Sequence, residues 1–132
     1  MRILIADDES INRRILQEML ADYADCDVVV NGLEVIEAFT MAHEQKRPYE
    51  LLCLDIMMPV MDGCEALIQV RKMERVMKIN PADAVKVIMI TAVDRPNEIL
   101  QSYDGECSAY MIKPINKKAL IKQIKDIGLL QP

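Results

Sequence analysis

Residues 51–63 read LLCLDIMMPVMDG, an apolar run that ends in the acid Asp55 and continues into a loop punctuated by proline and glycine. Such a run predicts a buried strand, and a carboxylate at its end is costly to bury unless it binds a cation or takes part in chemistry. A second apolar run, residues 3–6, ends in Asp7 and Asp8. If the two strands are neighbours, three carboxylates converge at one edge of a sheet.

Short apolar runs alternate with segments of helical periodicity along the whole chain. The runs cover residues 2–6, 26–30, 50–54, 85–90 and 107–112, and the helical segments cover residues 10–23, 33–46, 64–78, 96–103 and 116–127. Ser10 is the expected N-cap of the first helix, and Ile11 is expected on its apolar face. This alternation predicts a parallel sheet covered on both faces. The 132 residues are therefore expected to form a single α/β domain, residues 1–132.

The expected topology brings further polar residues to the same edge of the sheet. Open parallel sheets bind ligands at the carboxyl ends of their strands, where the strand order reverses. A doubly wound, five-stranded sheet of order 2-1-3-4-5 would direct Asp7, Asp8 and Asp55 into one crevice there. Thr91 ends the fourth apolar run and Lys113 follows the fifth. Clustered carboxylates favour a hard cation such as Mg²⁺, and a hydroxyl and an ammonium beside a nucleophilic carboxylate can bind a phosphoryl group.

Composition and charge exclude several classes of protein. The net charge of −5 argues against direct nucleic-acid binding. No apolar stretch is long enough to cross a bilayer, and the N-terminus lacks a secretory h-region, so no membrane insertion and a cytoplasmic location are expected. The four cysteines include no C-x-x-C pair and have no histidines nearby, which makes a zinc site improbable.

The complete set of motifs resembles the signature of response-regulator receiver domains. The matching parts are Asp7-Asp8, residues 54–63, Thr91-Ala92 and Lys113-Pro114, in that order. The resemblance covers essentially the whole chain, including the order and spacing of all five strand–helix units. It implies the CheY-like, or flavodoxin-like, fold and a role in two-component signalling.

The resemblance also implies roles for the acids. Asp55 would be the phosphoacceptor, which takes its phosphoryl group from a sensor histidine kinase or a histidine phosphotransfer protein. Asp8, Asp55 and the backbone carbonyl of Met57 would bind Mg²⁺ directly, and Asp7 would help through a water molecule.

Other residues resemble the parts of the family that contact the phosphoryl group and transmit the signal. Lys113 and Thr91 would contact the phosphoryl group. Thr91 and Tyr110 would act as a switch pair, in which the hydroxyl moves toward the phosphoryl group and the ring turns inward. The Lys113–Pro114 peptide bond would be cis. The face formed by residues 95–127 would bind a downstream protein.

Two positions affect the expected lifetime of the phosphorylated form. Met57 stands two residues after Asp55, and Val93 stands two residues after Thr91. In the family that the chain resembles, both positions lie over the phosphoryl group. Apolar side chains there cannot orient an attacking water molecule by hydrogen bonding. We therefore expect a fairly long-lived phosphoaspartate, whose lifetime is set mainly by partner proteins.

Several functions remain open at this point. A stand-alone receiver is favoured, because the chain begins with Met directly before the first strand and ends soon after the last helix; a phosphorelay shuttle and a detached receiver of a hybrid kinase are the alternatives. A Mg²⁺-dependent phosphohydrolase would generally need a second acid where Met57 stands. We thus expect no enzyme activity beyond the chain's own phosphotransfer and slow autodephosphorylation. A monomer or a weak phosphorylation-dependent dimer is expected.

The last predicted helix carries a basic stripe, formed by Lys117, Lys118, Lys122 and Lys125. Most such stripes are solvated faces, and basic residues also suit the C-terminus of a helix. A solvated face is the favoured interpretation, and docking of an acidic partner is the alternative.

Overall fold

The computed structural model describes residues 1–92 and 106–130. In this part of the chain the strands are β1 (Arg2–Ala6), β2 (Asp25–Val29), β3 (Leu51–Asp55), β4 (Lys86–Thr91) and β5 (Ala109–Ile112). The helices are α1 (Ser10–Leu20), α2 (Gly32–Glu44), α3 (Gly63–Val76) and α4 (Lys117–Asp126), and a 3-10 turn covers Pro81–Asp83. The helix expected over residues 96–103 lies outside the described residues.

The five strands form one parallel sheet in the order β2-β1-β3-β4-β5, which confirms the predicted topology. Strand β1 pairs with β2 on one side and with β3 on the other, so that Ile5 lies opposite both Val28 and Cys53. Because β1 and β3 are neighbours, the acids that follow or end them share one edge of the sheet.

The central strands are buried on both faces, as expected of a parallel sheet between two helical layers. Alternate residues of each strand point to opposite faces. On one face, Leu52, Leu54 and Met89 belong to a core with Phe39 of α2 and Leu67 of α3. The other face packs against α1 and α4 through a second set of buried residues, which includes Ile3, Ile5, Ile88, Ile90, Leu16, Leu20, Leu120 and Ile124.

The first helix differs from its prediction in two respects. Ser10 is the first helical residue, and the N-cap position is held by Glu9, whose side chain makes no capping hydrogen bond. Ile11 is 71 % exposed rather than packed, whereas Leu16 and Leu20 are buried. The apolar periodicity of α1 begins at Ile11, one turn before the part of the helix that packs against the sheet. The spacing alone therefore predicted a longer buried face than the structure shows.

A buried ion pair connects α3 with the beginnings of β4 and β5. The Arg71 guanidinium lies 2.6 Å from Oε1 of Glu74, and it also donates hydrogen bonds to the carbonyl oxygens of Val85 and Glu106, each at 2.8 Å. The other Glu74 oxygen, Oε2, accepts a hydrogen bond from the Val85 N–H at 2.8 Å. This network lies at the amino ends of the strands, at the opposite edge of the sheet from the acids.

None of the helices within residues 1–92 and 106–130 has the length and apolar character that crossing a membrane requires.

The loop after β3 contains a residue in a strained conformation. Val60 has φ +69° and its side chain is 78 % exposed. A β-branched side chain is disfavoured at positive φ, by about 1–2 kcal/mol. Glycine adopts this conformation without the steric penalty.

We predict that Val60→Gly raises the free energy of unfolding by about 0.5–1 kcal/mol, since relief of strain outweighs the greater backbone entropy of glycine in the unfolded chain. Urea denaturation measures the change. Val76→Gly is the matched control, because Val76 is 81 % exposed at the end of helix α3. The control substitution should destabilise the protein. Loss of stability in both variants would contradict the assignment of strain to Val60.

Candidate phosphoacceptor site

The site is built from the carboxyl ends of two neighbouring strands. Asp55 is the last residue of β3, and Asp7 and Asp8 directly follow β1. The register places Ala6 beside Leu54, so the three acids emerge at the same level. One carboxylate oxygen from each of the three residues lies within 4.8 Å of the others, with Asp7 and Asp55 buried and Asp8 exposed. The structure thus brings together the three acids that the sequence placed at one edge.

Lys113 places a positive charge between two of these acids. Its Nζ lies 3.0 Å from Oδ2 of Asp7 and 3.3 Å from Oδ2 of Asp55. The backbone positions the side chain, because the Lys113 N–H donates a hydrogen bond to the carbonyl oxygen of Thr91 at 2.8 Å. The Lys113 side chain is 19 % exposed, so it is partly desolvated.

The surroundings of Asp7 are consistent with a cation site. Its Oδ1 accepts a hydrogen bond from the Glu9 N–H at 2.9 Å, and its backbone carbonyl accepts one from Arg13 at 2.8 Å. In contrast, Oδ2 is buried and has the Lys113 ammonium as its only favourable neighbour among the described residues. A buried carboxylate oxygen in a group of three carboxylates belongs to the oxygen-rich environment that Mg²⁺ prefers.

The pKa values of Asp55 and Lys113 reflect this crowding. Burial raises the pKa of Asp55 to about 6 and the Asp7 charge adds to this, while Lys113 and the Met57 N–H oppose the shift. Burial alone lowers the pKa of Lys113, but the contact with Asp7 and the charges of Asp55 and Asp7 outweigh it, so the net shift of this pKa is upward. The ammonium therefore remains charged beside a carboxylate whose ionised form is destabilised.

The two switch candidates occupy different environments. Thr91, the last residue of β4, is completely buried. Tyr110 lies on β5, opposite Met89 of β4, and is 41 % exposed, so its side chain is partly accessible to solvent. The Lys113–Pro114 peptide bond is cis.

The loop after β3 carries an exposed apolar side chain two residues after Asp55. Met57 is 68 % exposed, and its N–H donates a hydrogen bond to the Asp55 carboxylate. Asp62 caps α3 by accepting a hydrogen bond from the Glu65 N–H at 2.8 Å. A Cβ atom at Gly63 would collide with the backbone carbonyl of Asp55, which explains why glycine follows the cap.

Val93 and residues 95–105, to which the sequence assigned roles in lifetime and output, lie outside the described residues. Of the described candidates, Asp7, Asp8, Asp55 and Lys113 lie in one cluster.

Sequence reasoning missed two contributors to the site. Arg13 donates to the Asp7 backbone, and Asn12 lines a crevice of about 300 Å³ beside Asp7 and Lys113. The other walls of the crevice are mainly apolar and come from Ile15, Leu16, Ile90, Pro114 and Ile115. The sequence does show that these polar residues lie in the first turn of the helix that follows the acids. That position alone does not distinguish a residue that contributes to the site from one that is solvated.

Known proteins resemble this chain in sequence. The probable transcriptional regulator ycf29 of Porphyra purpurea is 30% identical over 126 residues. The match includes 95% of this chain and 55% of that relative, so the chain spans about half the length of the relative.

Solved structures share the fold over nearly the whole chain. Response regulator TrrA of Thermotoga maritima, solved in complex with Mg²⁺-BeF, matches with a TM-score of 0.76 and 29% identity, over 96% of this chain and 97% of that one. A chain from the co-crystal structure of the Saccharomyces cerevisiae histidine phosphotransfer signaling protein Ypd1 and the receiver domain of its downstream response regulator Ssk1 matches with a TM-score of 0.80. That match has 26% identity and includes 99% of this chain and 90% of the other.

The family model described as "response regulator receiver domain" matches residues 3–125, nearly the full length of the chain. Receiver domains are signalling modules of two-component systems rather than conventional enzymes, and Mg²⁺ and phosphoaspartate are typical of them. Fold, sequence match and the position of the acids agree, and this chain belongs to the response-regulator receiver domain family.

Proposed function

We propose that this receiver domain accepts a phosphoryl group on Asp55 and signals through phosphorylation-dependent binding of another protein. The observation that carries the proposal is the position of Lys113, whose ammonium lies 3.0 Å from Asp7 and 3.3 Å from Asp55 within the group of three carboxylates. A cation between two acids is suited to receive the negative charge of a phosphoryl group placed on one of them.

In the proposed reaction, a carboxylate oxygen of Asp55 attacks the phosphorus of a phosphohistidine. The new P–O bond forms while the P–N bond breaks, and the imidazole nitrogen leaves with the electron pair and takes up a proton. The Lys113 ammonium stabilises the charge on the transferring oxygens. The Met57 N–H already donates to the Asp55 carboxylate, and the Thr91 hydroxyl is the further donor at this edge.

Asp8, Asp55 and the Met57 carbonyl would bind Mg²⁺ directly, and Asp7 would contribute through water. The ion would offset the mutual repulsion of the carboxylates and of the incoming phosphoryl oxygens. These residues fit the ion, because one carboxylate oxygen from each of Asp7, Asp8 and Asp55 lies within 4.8 Å of the others.

Output is proposed to use Thr91 and Tyr110. The hydroxyl of the buried Thr91 moves toward the phosphoryl group, and the partly exposed Tyr110 ring turns into the space that is released. The surface that changes is the face of residues 95–127, of which the structure describes residues 106–127.

The proposed phosphodonor is a sensor histidine kinase or a histidine phosphotransfer protein. The structural match to a chain from the Ypd1–Ssk1 receiver complex supports this class of partner.

We further propose a single domain over residues 1–132, a cytoplasmic location, no direct nucleic-acid contact and a monomer or weak phosphorylation-dependent dimer. A phosphorelay shuttle is the second candidate function.

Phosphorylation of the purified protein with a small-molecule phosphodonor and Mg²⁺ tests the proposal. We expect the mass of one phosphoryl group, lost on treatment with hydroxylamine as an acyl phosphate is, and mapped to the peptide that contains Asp55. Profiling against histidine kinases of the source organism then identifies the partner. Stable phosphate on a hydroxyl group, or uptake that does not require Mg²⁺, would contradict the proposed site.

A separate prediction concerns the lifetime of the phosphorylated form. Because Met57 and Val93 cannot orient water by hydrogen bonding, the double variant Met57→Asn/Val93→Glu should lose phosphate faster, on the order of tenfold. The measurement is the decay of the acyl phosphate after removal of the donor. Met57→Leu, which keeps an apolar side chain, is the control and should retain the wild-type rate. If the double variant loses phosphate at the wild-type rate, positions 57 and 93 do not govern hydrolysis.

A further inference from the structure

A basic groove lies on the surface beside helix α4, apart from the acidic site. The cavity has a volume of about 510 Å³ and is lined by Tyr23, Lys117, Lys118, Ile121, Lys122 and Lys125. We call these six residues the lysine groove. Within residues 1–92 and 106–130, no acidic residue lines it. In a chain with a net charge of −5, four positive charges are thus gathered in one place.

Most of this positive charge is not neutralised within the described residues. All four lysines are exposed, and Lys122 is the only one with an acidic partner there, Asp126 at 2.9 Å. Lys117, Lys118 and Lys125 lie within two and a half turns of one helix, so their ammonium groups raise the local potential together. An anionic partner would gain from all three contacts at once.

The floor of the lysine groove is apolar. Tyr23 is 39 % exposed, and Ile121 is largely buried beneath the lysines. Lysine side chains also cover apolar surface with their methylene stems while their charges remain in water. An apolar floor with a cationic rim is complementary to a peptide that presents an aliphatic side chain flanked by carboxylates.

The same features argue against a nucleic acid as the occupant. Among the residues that the structure describes, no arginine lines the groove, so none of them offers a planar guanidinium for bidentate phosphate binding. The net charge of the whole chain also opposes the long-range approach of a polyanion. A short acidic segment experiences mainly the local field, since charges beyond about 10 Å are screened at moderate salt.

We propose that the lysine groove is a docking site for an acidic, amphipathic segment of a partner protein. None of its residues belongs to the acidic cluster, so the groove is present in the unphosphorylated protein. Its five α4 residues lie within the proposed output face of residues 95–127, where docking would add affinity and partner choice to a phosphotransfer or output complex.

The test uses a fluorescein-labelled synthetic peptide in which glutamates flank a leucine pair, with binding followed by fluorescence anisotropy at low ionic strength. The charge-reversal variant Lys118→Glu/Lys125→Glu leaves the Lys122–Asp126 pair intact. The matched control, Lys72→Glu/Lys78→Glu, changes the net charge equally at exposed positions outside the groove. We expect the reversal to weaken binding about tenfold and the control to change it less than about twofold.

Two further arms separate the possible occupants. A peptide with glutamine in place of glutamate should bind more weakly, and duplex DNA should compete poorly. Equal affinity of the wild type and the reversal variant would overturn the proposal and leave the lysines as a solvated face. Stronger binding of the DNA than of the peptide would overturn the assignment of the occupant. Phosphate uptake on Asp55 should be unchanged in the reversal variant, so this result stands apart from the test of the acceptor.

Discussion

Replacing Asp55 with asparagine is expected to abolish phosphate uptake and, at the same time, to stabilise the protein. In Mg²⁺-free buffer at about pH 8, we expect the free energy of unfolding to rise by about 2 kcal/mol. The reason is that burial and the Asp7 charge raise the pKa of Asp55 to about 6, so its ionised form is unfavourable in the folded state. Asparagine retains the shape and lacks the charge. Function, in this case, is maintained at the expense of stability.

The pH dependence follows from the direction of this shift. The pKa of Asp55 is about 6 in the folded protein, compared with an ordinary value of 3.8, so the folded state binds the proton more tightly than the unfolded chain. Stability from this group is complete below about pH 4 and falls as the pH rises toward 6. The advantage of Asp55→Asn should therefore be small at about pH 4 and reach its maximum above about pH 6.

Urea denaturation over this pH range, with and without Mg²⁺, provides the measurement. Mg²⁺ should stabilise the wild type and reduce the difference, because an ion that binds only the folded state adds to its stability. Asp62→Asn is the control, since asparagine caps a helix as well as aspartate and Asp62 lies outside the cluster. If Asp55→Asn were less stable than the wild type throughout, the repulsion assigned to the cluster would be wrong.

Much of the site could be predicted because topology fixes where strand ends meet. Asp55 ends one apolar run and Asp7 follows another, and a parallel sheet of order 2-1-3-4-5 brings such positions together whatever the details of packing. The contact of Lys113 with both Asp7 and Asp55 could not be predicted from topology alone. Its position near the edge followed from the sequence, but the two distances depend on the path of the chain after β5.

The exposure of Ile11 and the burial of Glu74 show where periodicity is insufficient. Periodicity identifies the side of a helix that can face the sheet, but it does not show how far the sheet extends beneath it. Glu74 follows Leu67 and Val70 on the buried side of α3 and is only 5 % exposed. A charged residue on that side is tolerated when a partner compensates it. The partner, Arg71, is three residues earlier, a spacing that is common among solvated pairs as well.

The two edges of the sheet therefore hold charge in opposite ways. At the carboxyl edge, Lys113 is the only basic side chain that pairs with the Asp7 and Asp55 carboxylates among the described residues, so the three acids retain excess negative charge that a cation could offset. At the amino edge, the Glu74 carboxylate is matched by Arg71 and by the Val85 N–H. In the first arrangement the carboxylates are in excess, and in the second the charged groups compensate one another, which is typical of a structural element.

Arg71→Met is accordingly expected to reduce the free energy of unfolding by about 3–5 kcal/mol, because it leaves the Glu74 carboxylate buried without a cation. It also removes the hydrogen bonds to the carbonyl oxygens of Val85 and Glu106. Urea denaturation measures the loss. The neighbouring Arg75, which is 63 % exposed and lies 3.9 Å from Glu106, provides the control: Arg75→Met should change stability by less than about 1 kcal/mol.

The double variant Arg71→Met/Glu74→Leu separates the ion pair from the effects of packing. Removal of both charges eliminates the uncompensated carboxylate, so the double variant should be more stable than Arg71→Met alone, by about 1–3 kcal/mol. If Arg71 and Glu74 have only a structural role at this edge, the double variant should still take up phosphate on Asp55 under conditions in which the variant is folded. Additive losses would show that Arg71 and Glu74 act separately, and the stability of this edge would then rest on the hydrogen bonds from Arg71 to Val85 and Glu106.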